Sequence, residues 1–193
     1  MRFTLLILII VFVSCAKEKK PVDCSLLFQY DDVWKYKGRV FTGQCISYNK
    51  NGTVNSEATF LDGKIQGKLI TYYDNGNVEE SIEYQNGTPH GKFEAYFISG
   101  KLWEEGHIIN GNKEGEWKVY YENGNVMTIE NWKNNVMHDS AFGYFPTGQI
   151  IMEGYWINGK MNGRWNFYDS ISGNLDGYLI YKNDSIIGSY FNN

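Results

Sequence analysis

Basic charge is scarce in this chain, and uninterrupted stretches of helical length are absent. Lys and Arg number 18 against 22 Asp and Glu, a formal net charge of −4. A nucleic-acid partner needs a basic face for its phosphates, so that class is excluded. The same balance gives no electrostatic help in docking to anionic lipid. Proline occurs three times and cysteine three times in 193 residues. Turn signals recur roughly every 12 residues, too often for helices. No G-x-S-x-G, C-x-x-C or P-loop occurs, and no G-x-G-x-x-G at a strand–helix junction, so the common nucleophile, redox and nucleotide-binding signatures are missing. What is abundant is glycine (21), tyrosine (15) and tryptophan (6). Glycine supplies positive φ and aromatics fill pleated faces, so the composition points to short strands and many turns.

The first residues, MRFTLLILIIVFVSC, read as a targeting segment. Arg2 is a short positive n-region, and Leu5 to Val13 is an apolar run too short to span a bilayer as a stable helix. The segment resembles a bacterial lipoprotein signal, with Phe12 where leucine is usual. The resemblance implies cleavage between Ser14 and Cys15 and a lipid on Cys15, with the chain lipid-anchored in the cell envelope and expected at the outer membrane. Removing Arg2 leaves 17 basic against 22 acidic residues, a net of −5. Lys17 to Pro21 (KEKKP) reads as a solvated tether. Cys24 and Cys45 remain, in a compartment where disulfides persist, and two is the right count for one bridge. The alternative is that Cys45 fills the apolar slot that Leu69, Phe93 and Trp117 hold in later units. The division is 1–14 signal, 15–32 tether and N-terminal cap, and 33–193 repeat domain.

The repeat is clearest in GEWKVYYENGNVMTIENWKNNVMH, Gly115 to His138. Units start at Gly43, Gly67, Gly91, Gly115, Asp139 and Gly163, each 24 residues long except the last, which has one more. A period of this size means stacked supersecondary units. The sixth position is Tyr48, Tyr72, Tyr96, Tyr120, Tyr144 and Tyr168. The twelfth is Val54, Val78, Leu102, Val126, Ile150 and Leu175; the eighteenth is Phe60, Tyr84, Ile108, Trp132, Trp156 and Tyr181. Twelve and eighteen differ by an even number, so strand alternation puts both on one face. Asn51-Gly52, Asn75-Gly76 and Asn123-Gly124 mark one hairpin turn, with positive φ expected at both residues. Asp62-Gly63, Asn86-Gly87, Asn110-Gly111 and Asn158-Gly159 mark the return.

The fold expected is all-β: one elongated antiparallel meander of stacked 24-residue hairpins, about 13–14 strands and on the order of 60–65 Å long. Curling of the sheet is expected to enclose Trp117, Trp165 and the twelfth positions in a narrow interior. Strands around Trp34 and after Gly188 are expected to cap it, since repeat arrays need atypical ends.

The unit G-x-W-x-x-Y-Y-x-N-G-x-V followed by Y-x-N-G-x-x-x-G resembles the MORN-variant repeat of bacterial proteins, often filed as YwqK-like antitoxins. The resemblance covers Val33 to the C-terminus. It implies an interaction or membrane-associated scaffold without enzymatic activity, and no cofactor. Antitoxins are typically cytosolic, whereas this chain begins with an export signal.

Candidate chemistry is sparse. His90 and His138 share position 24, but four strands separate them by about 19 Å, beyond a shared Zn²⁺, and His107 lies elsewhere on its strand. Glu79, Glu80, Glu83, Glu104 and Glu105 invite an acid–base reading; Glu80 and Glu104 would lie roughly 10 Å apart at the backbone. Surface acids also defend sheets against aggregation, and no base accompanies them. Opposite positions 12 and 18, early units carry Asn55, Glu57, Glu79 and Glu83. Later ones carry Trp103, Met127, Ile129, Ile151, Tyr155, Tyr178 and Ile180. An apolar patch on a solvent face marks an interaction site. The expectation is a non-enzymatic envelope lipoprotein that binds a protein, in an antitoxin or immunity-type role. The alternatives are a glycan- or envelope-polymer-binding module and, third, an envelope hydrolase.

Overall fold

The computed structural model describes residues 20–192. The targeting segment, the cleavage point and Cys15 lie outside that range.

Chain order begins with β1 (Val22–Asp23), a 3-10 turn (Cys24–Leu26), β2 (Leu27–Tyr30), β3 (Val33–Tyr36) and β4 (Arg39–Val40). The repeat hairpins follow as β5 (Gly43–Tyr48), β6 (Val54–Leu61), β7 (Lys64–Tyr72), β8 (Val78–Gln85), β9 (Thr88–Tyr96) and β10 (Leu102–Ile109). The chain continues through β11 (Asn112–Tyr120), β12 (Val126–Lys133), β13 (Val136–Tyr144) and β14 (Ile150–Ile157). It closes with β15 (Lys160–Tyr168), β16 (Leu175–Lys182) and β17 (Ser185–Phe191). From β5 onward every strand pairs antiparallel with the next, in one 14-stranded sheet whose far edge strand is β1. That is the expected meander, with two departures. β1 runs parallel to β5, Val22 opposite Cys45. The strand around Trp34 belongs to a separate three-stranded sheet, β2-β3-β4. The three-stranded sheet runs to Val40, and a boundary at 32/33 falls inside its first hairpin, between the Asp31-Asp32 turn and β3.

The two turns of each unit are built differently. The return turns are two-residue loops with both residues left-handed, for example Asp62 (φ 48°) and Gly63 (75°), or Asn134 (50°) and Asn135 (63°). Such turns match the right-handed twist of the strands they join. At the other turn the expectation fails. Gly52, Gly76 and Gly124 have positive φ, but their preceding asparagines do not. Gly52 N–H donates to Asn49 O at 2.9 Å and Asn49 N–H to Thr53 O at 2.8 Å, a longer loop with one left-handed glycine. The asparagine is free to accept through its side chain instead: Thr53 N–H donates to Asn51 Oδ1 (3.0 Å) and Asn77 N–H to Asn75 Oδ1 (3.0 Å).

Each unit also carries two register slips. Ladder pairing passes from Phe60↔Ile65 to Ala58↔Leu69, skipping past Gly67, whose φ is +83°. It slips again where Tyr72 pairs with Val78 and Thr71 with Glu80, leaving Glu79 unpaired. The unit-opening glycine is therefore a bulge residue, and position 13 is a second. A bulge interrupts alternation and raises local twist. The even spacing of positions 12 and 18 consequently does not fix a common face, contrary to the sequence expectation.

The interior also differs from expectation. Packing between elements runs almost wholly between neighbours in the strand order, and β17 leaves its outer edge without a partner strand among the described residues. The sheet is open and one layer thick along the repeats, with no enclosed core. Trp117 and Trp165 are nevertheless 2% exposed. Each indole lies flat on a glycine of the preceding strand; a Cβ at Gly106 would collide with Trp117, and one at Gly154 with Trp165. Phe93 packs 5.1 Å from Trp117, and Trp156 and Tyr181 pack on Trp165 at 5.5 and 6.2 Å. Among the described residues, the one buried hydrophobic cluster is at the N-terminal end: Leu27, Phe41, Cys45, Ala58 and Phe60. There Cys24 and Cys45 are joined by a disulfide, and Trp34 N–H donates to Gly63 O at 2.8 Å.

The extra residue of the sixth unit sits in the Asp169–Asn174 loop, where Asp169 N–H donates to Asn174 O (2.9 Å) and Tyr168 still pairs with Leu175. The last strand breaks the pattern. The slip between β16 and β17 is one residue instead of two, and Gly188 is not left-handed as Gly163 is. Tyr190 thereby comes opposite Tyr178, stacked at 5.6 Å.

Candidate functional site

Cross-strand pairing defines two faces. On the first, the tryptophan face, Cys45, Ala58, Leu69, Ile82 and Phe93 are successive neighbours, and Trp117, Glu130 and Ala141 follow. On the second, the tyrosine face, the central line runs Ile46, Glu57, Ile70, Ser81, Glu94, Glu105, Lys118, Ile129, Phe142, Glu153, Asn166, Tyr178 and Tyr190.

The sixth-position tyrosines serve the second face. Tyr120 donates to Glu105 Oε1 at 2.7 Å and Tyr168 to Glu153 Oε1 at 2.6 Å. These hydrogen bonds are the largest influence holding both carboxyls below the usual range. Burial, then the same Glu105 contact, pushes the Tyr120 hydroxyl up to about 12. The acids recur every second unit. So do the seventh-position tyrosines: Tyr73 donates to Tyr96 O (2.7 Å) and Tyr121 to Tyr144 O (2.8 Å), with Phe97 and Phe145 between. The structural period is thus a pair of units, which the 24-residue reading did not separate.

Both margins of the sheet are stitched from unit to unit. On one, Asn75 and Asn77 Nδ2 donate to Ile98 O (2.8 and 3.0 Å), and Asn123 and Asn125 Nδ2 to Pro146 O (both 2.7 Å). On the other, Gly63 donates to Phe41 O, Gly87 to Ile65 O, Gly111 to Pro89 O and Gly159 to Met137 O, at 2.7 to 2.9 Å. The Asn-Gly signals that mark hairpins in the sequence are also the stitches.

The seven apolar residues do not form one patch. Ile129, Tyr155, Tyr178 and Ile180 share the tyrosine face, with Tyr155 41% exposed and the others half-buried. Trp103, Met127 and Ile151 are the skipped bulge residues of β10, β12 and β14. Trp103, 44% exposed, lines a cavity with Thr71, Glu80 and Ala95, which belong to the tryptophan face. Phe142, in the middle of the line, was missed by the sequence reading, although it is the fourth residue of its unit as Ile46 and Ile70 are of theirs.

The acids divide in the same way. Glu105 is on the tyrosine face; Glu80, Glu104 and Glu130 are on the other. Burial, then Glu79 and Glu104, pushes the Glu80 carboxyl up. Burial also raises Glu130, against Lys113 and the Trp132 indole N–H, although no hydrogen bond of ordinary geometry joins that N–H to a partner. Lys113 bonds Glu104 Oε1 at 2.9 Å and lies 3.9 Å above the Trp117 ring. Among the described residues no group of His, Cys, Asp and Glu is arranged to hold a metal ion.

This geometry defines a repeat protein: a linear stack of hairpins, stitched at both margins, that offers two unlike faces. More particularly, residues 41–62, 65–86 and 113–134 match the model of the MORN repeat variant. No curated protein matches the chain. Among solved structures, one titled "Crystal Structure of TcdB2-TccC3-Cdc42" is similar at 16% identity over 76% of this chain, with a TM-score of 0.26. The chain spans 8% of that one's length, and a score so low transfers nothing.

Proposed function

We propose that the protein is a non-enzymatic scaffold of the cell envelope, anchored through a lipid on Cys15, that docks a protein partner on the C-terminal half of its tyrosine face. The supporting observation is that the line carries Ile129, Phe142, Tyr178 and Tyr190 beside the exposed Tyr155, interrupted by Glu153 and Asn166, whereas in the N-terminal half Ile46 and Ile70 lie among Glu57, Ser81, Glu94 and Glu105. An immunity-type role, protecting against an exported toxin, is the finer reading; it rests on the MORN-variant resemblance and the lipoprotein-like leader.

The test is a photo-crosslinking amino acid placed at Tyr155, at Tyr178 and, as controls, at Glu57 and Lys68, in intact cells with the native leader. One discrete adduct, absent with Cys15→Ser and formed only from Tyr155 and Tyr178, is the expected result. Equal adducts from all four positions, which share one face, would remove the assignment to its C-terminal half. Adducts to envelope polymer instead of protein would establish the glycan-binding alternative.

A further inference from the structure

Two bulges one unit apart flank an open cavity. Glu79 is the skipped residue of β8 and Trp103 that of β10, with β9 running between them. Bulges re-aim side chains out of the ladder alternation. Together with Glu80, Tyr73 and Tyr96, these two residues line an open cavity of about 380 Å³. Thr71 and Ala95 also line it.

Three properties of that cavity point to one kind of ligand. First, the walls are aromatic and fixed. Tyr73 is tethered by its hydroxyl to Tyr96 O at 2.7 Å, and Trp103 packs 6.3 Å from Phe97. Second, the carboxylates lack a counter-charge. Glu79 and Glu80 make no ion pair among the described residues, whereas Glu94, Glu104, Glu105 and Glu116 are each paired with Lys92, Lys113 or Lys118. Third, the combination is unique in the repeat. Position 13 reads Asn55, Glu79, Trp103, Met127 and Ile151 in the first five units, so an acid followed one unit later by tryptophan occurs once. Position 14 gives Ser56, Glu80, Glu104, Thr128 and Met152, and the acids vanish toward the C-terminus. An aromatic wall presents the negative face of its ring quadrupole, and two carboxylates supply the remaining charge.

We propose that this cavity binds an organic ammonium group, seated against Trp103 and Tyr73 and neutralised by Glu79 and Glu80. Two sources carry that chemistry, a lysine side chain and a methylated amine. The inference stands apart from the protein-docking reading, because it concerns the opposite face and the N-terminal half of the sheet.

The test uses the full chain in detergent, labelled with 5-fluorotryptophan. The chain has six tryptophans, and the Trp103 resonance is assigned by its loss in Trp103→Phe. The protein is titrated with tetramethylammonium chloride, with Nα-acetyl-lysine methylamide, and with the uncharged isostere 3,3-dimethylbutanol. A saturable shift of the Trp103 resonance by one or both cations, and none by the alcohol, is expected. Tighter binding of the lysine derivative would identify a peptide amine, and tighter binding of tetramethylammonium a methylated amine. The Glu79→Gln/Glu80→Gln variant should weaken binding at least tenfold while leaving the buried Trp165 resonance in place, which shows that the variant is folded. A shift that does not saturate, equal response to the alcohol, or unchanged affinity in that variant would overturn the proposal.

Discussion

The two ends of the sheet solve the same problem in opposite ways. At the N-terminal end, β1 covers part of the β5 edge, the three-stranded sheet folds over the first hairpin, and the Cys24–Cys45 bridge holds them together. Phe60 there is 5% exposed, with Trp34 and Phe41 rings 6.0 and 5.5 Å away. At the C-terminal end β17 has nothing over it among the described residues, and Ile186, Ile187, Tyr190 and Phe191 are 58, 63, 53 and 46% exposed. A sheet one layer thick buries residues only where a neighbouring unit or extra chain lies over them. The middle is served by tryptophan on glycine and the N-terminus by the cap; at the C-terminus Phe191 lies over Gly177 but stays about half exposed. Nor does β17 carry a charge or a proline, the usual defences of an edge strand.

The sharpest way to break this comparison is to truncate a phenylalanine at each end. Phe60→Ala should cost about 3–5 kcal/mol, as for a fully packed aromatic, whereas Phe191→Ala should cost under about 1 kcal/mol. Urea melts of both variants measure the difference, and equal losses would mean that the ends are equivalent. Next in size is the disulfide. Its 21-residue separation corresponds to about 3 kcal/mol of loop-closure stabilisation. Replacing Cys24 and Cys45 together by alanine should therefore lower the midpoint and raise amide exchange in β1 to β6, with β13 to β17 unchanged. Exchange that rises uniformly along the chain would show that the cap stabilises the whole stack.

The smallest effect lies between the ends. Burial raises the Glu130 carboxyl in the folded chain, so the stability associated with its proton is present below the unfolded pKa and lost as pH rises through the folded one. Glu130→Gln should melt higher than wild type at pH 7, by under about 1 kcal/mol given the water that still reaches the site. The difference should disappear below about pH 4. A variant that melts lower at pH 7 would reverse the sign and show that the Lys113 attraction outweighs burial.

The strands and their order were legible in the sequence because turn residues punctuate it at even intervals and the apolar positions repeat. The bulges were not. Gly67 and Gly115 mark only the starts of units in the sequence, and the pairing register shows them carrying a left-handed kink inside a strand. The second bulge, at position 13, explains the wrong face assigned to Trp103. Packing of tryptophan on glycine leaves a signal that a unit-by-unit reading overlooks. Gly106 precedes Trp117 and Gly154 precedes Trp165 by the same 11 residues, each pair straddling a unit boundary. The cap was hidden for a different reason: its strands β1 and β4 are two residues long, and β1 takes its pairing from β5, beyond the rest of the cap.

The stitched margins have a mechanical consequence. Strand-to-strand hydrogen bonds lie along the stacking axis, the direction of a load applied between the two ends of the sheet. Such a load meets the ladder in the peeling geometry, where bonds open a few at a time. The side-chain stitches of Asn75, Asn77, Asn123 and Asn125 add a second, discrete resistance at unit boundaries. Under tension the molecule would pay out chain from its uncovered end in steps of a hairpin, about 80 Å of extended backbone for each 24 residues released. The covalently fastened end would be the last to yield. The fold behaves as a strap with one end sewn down.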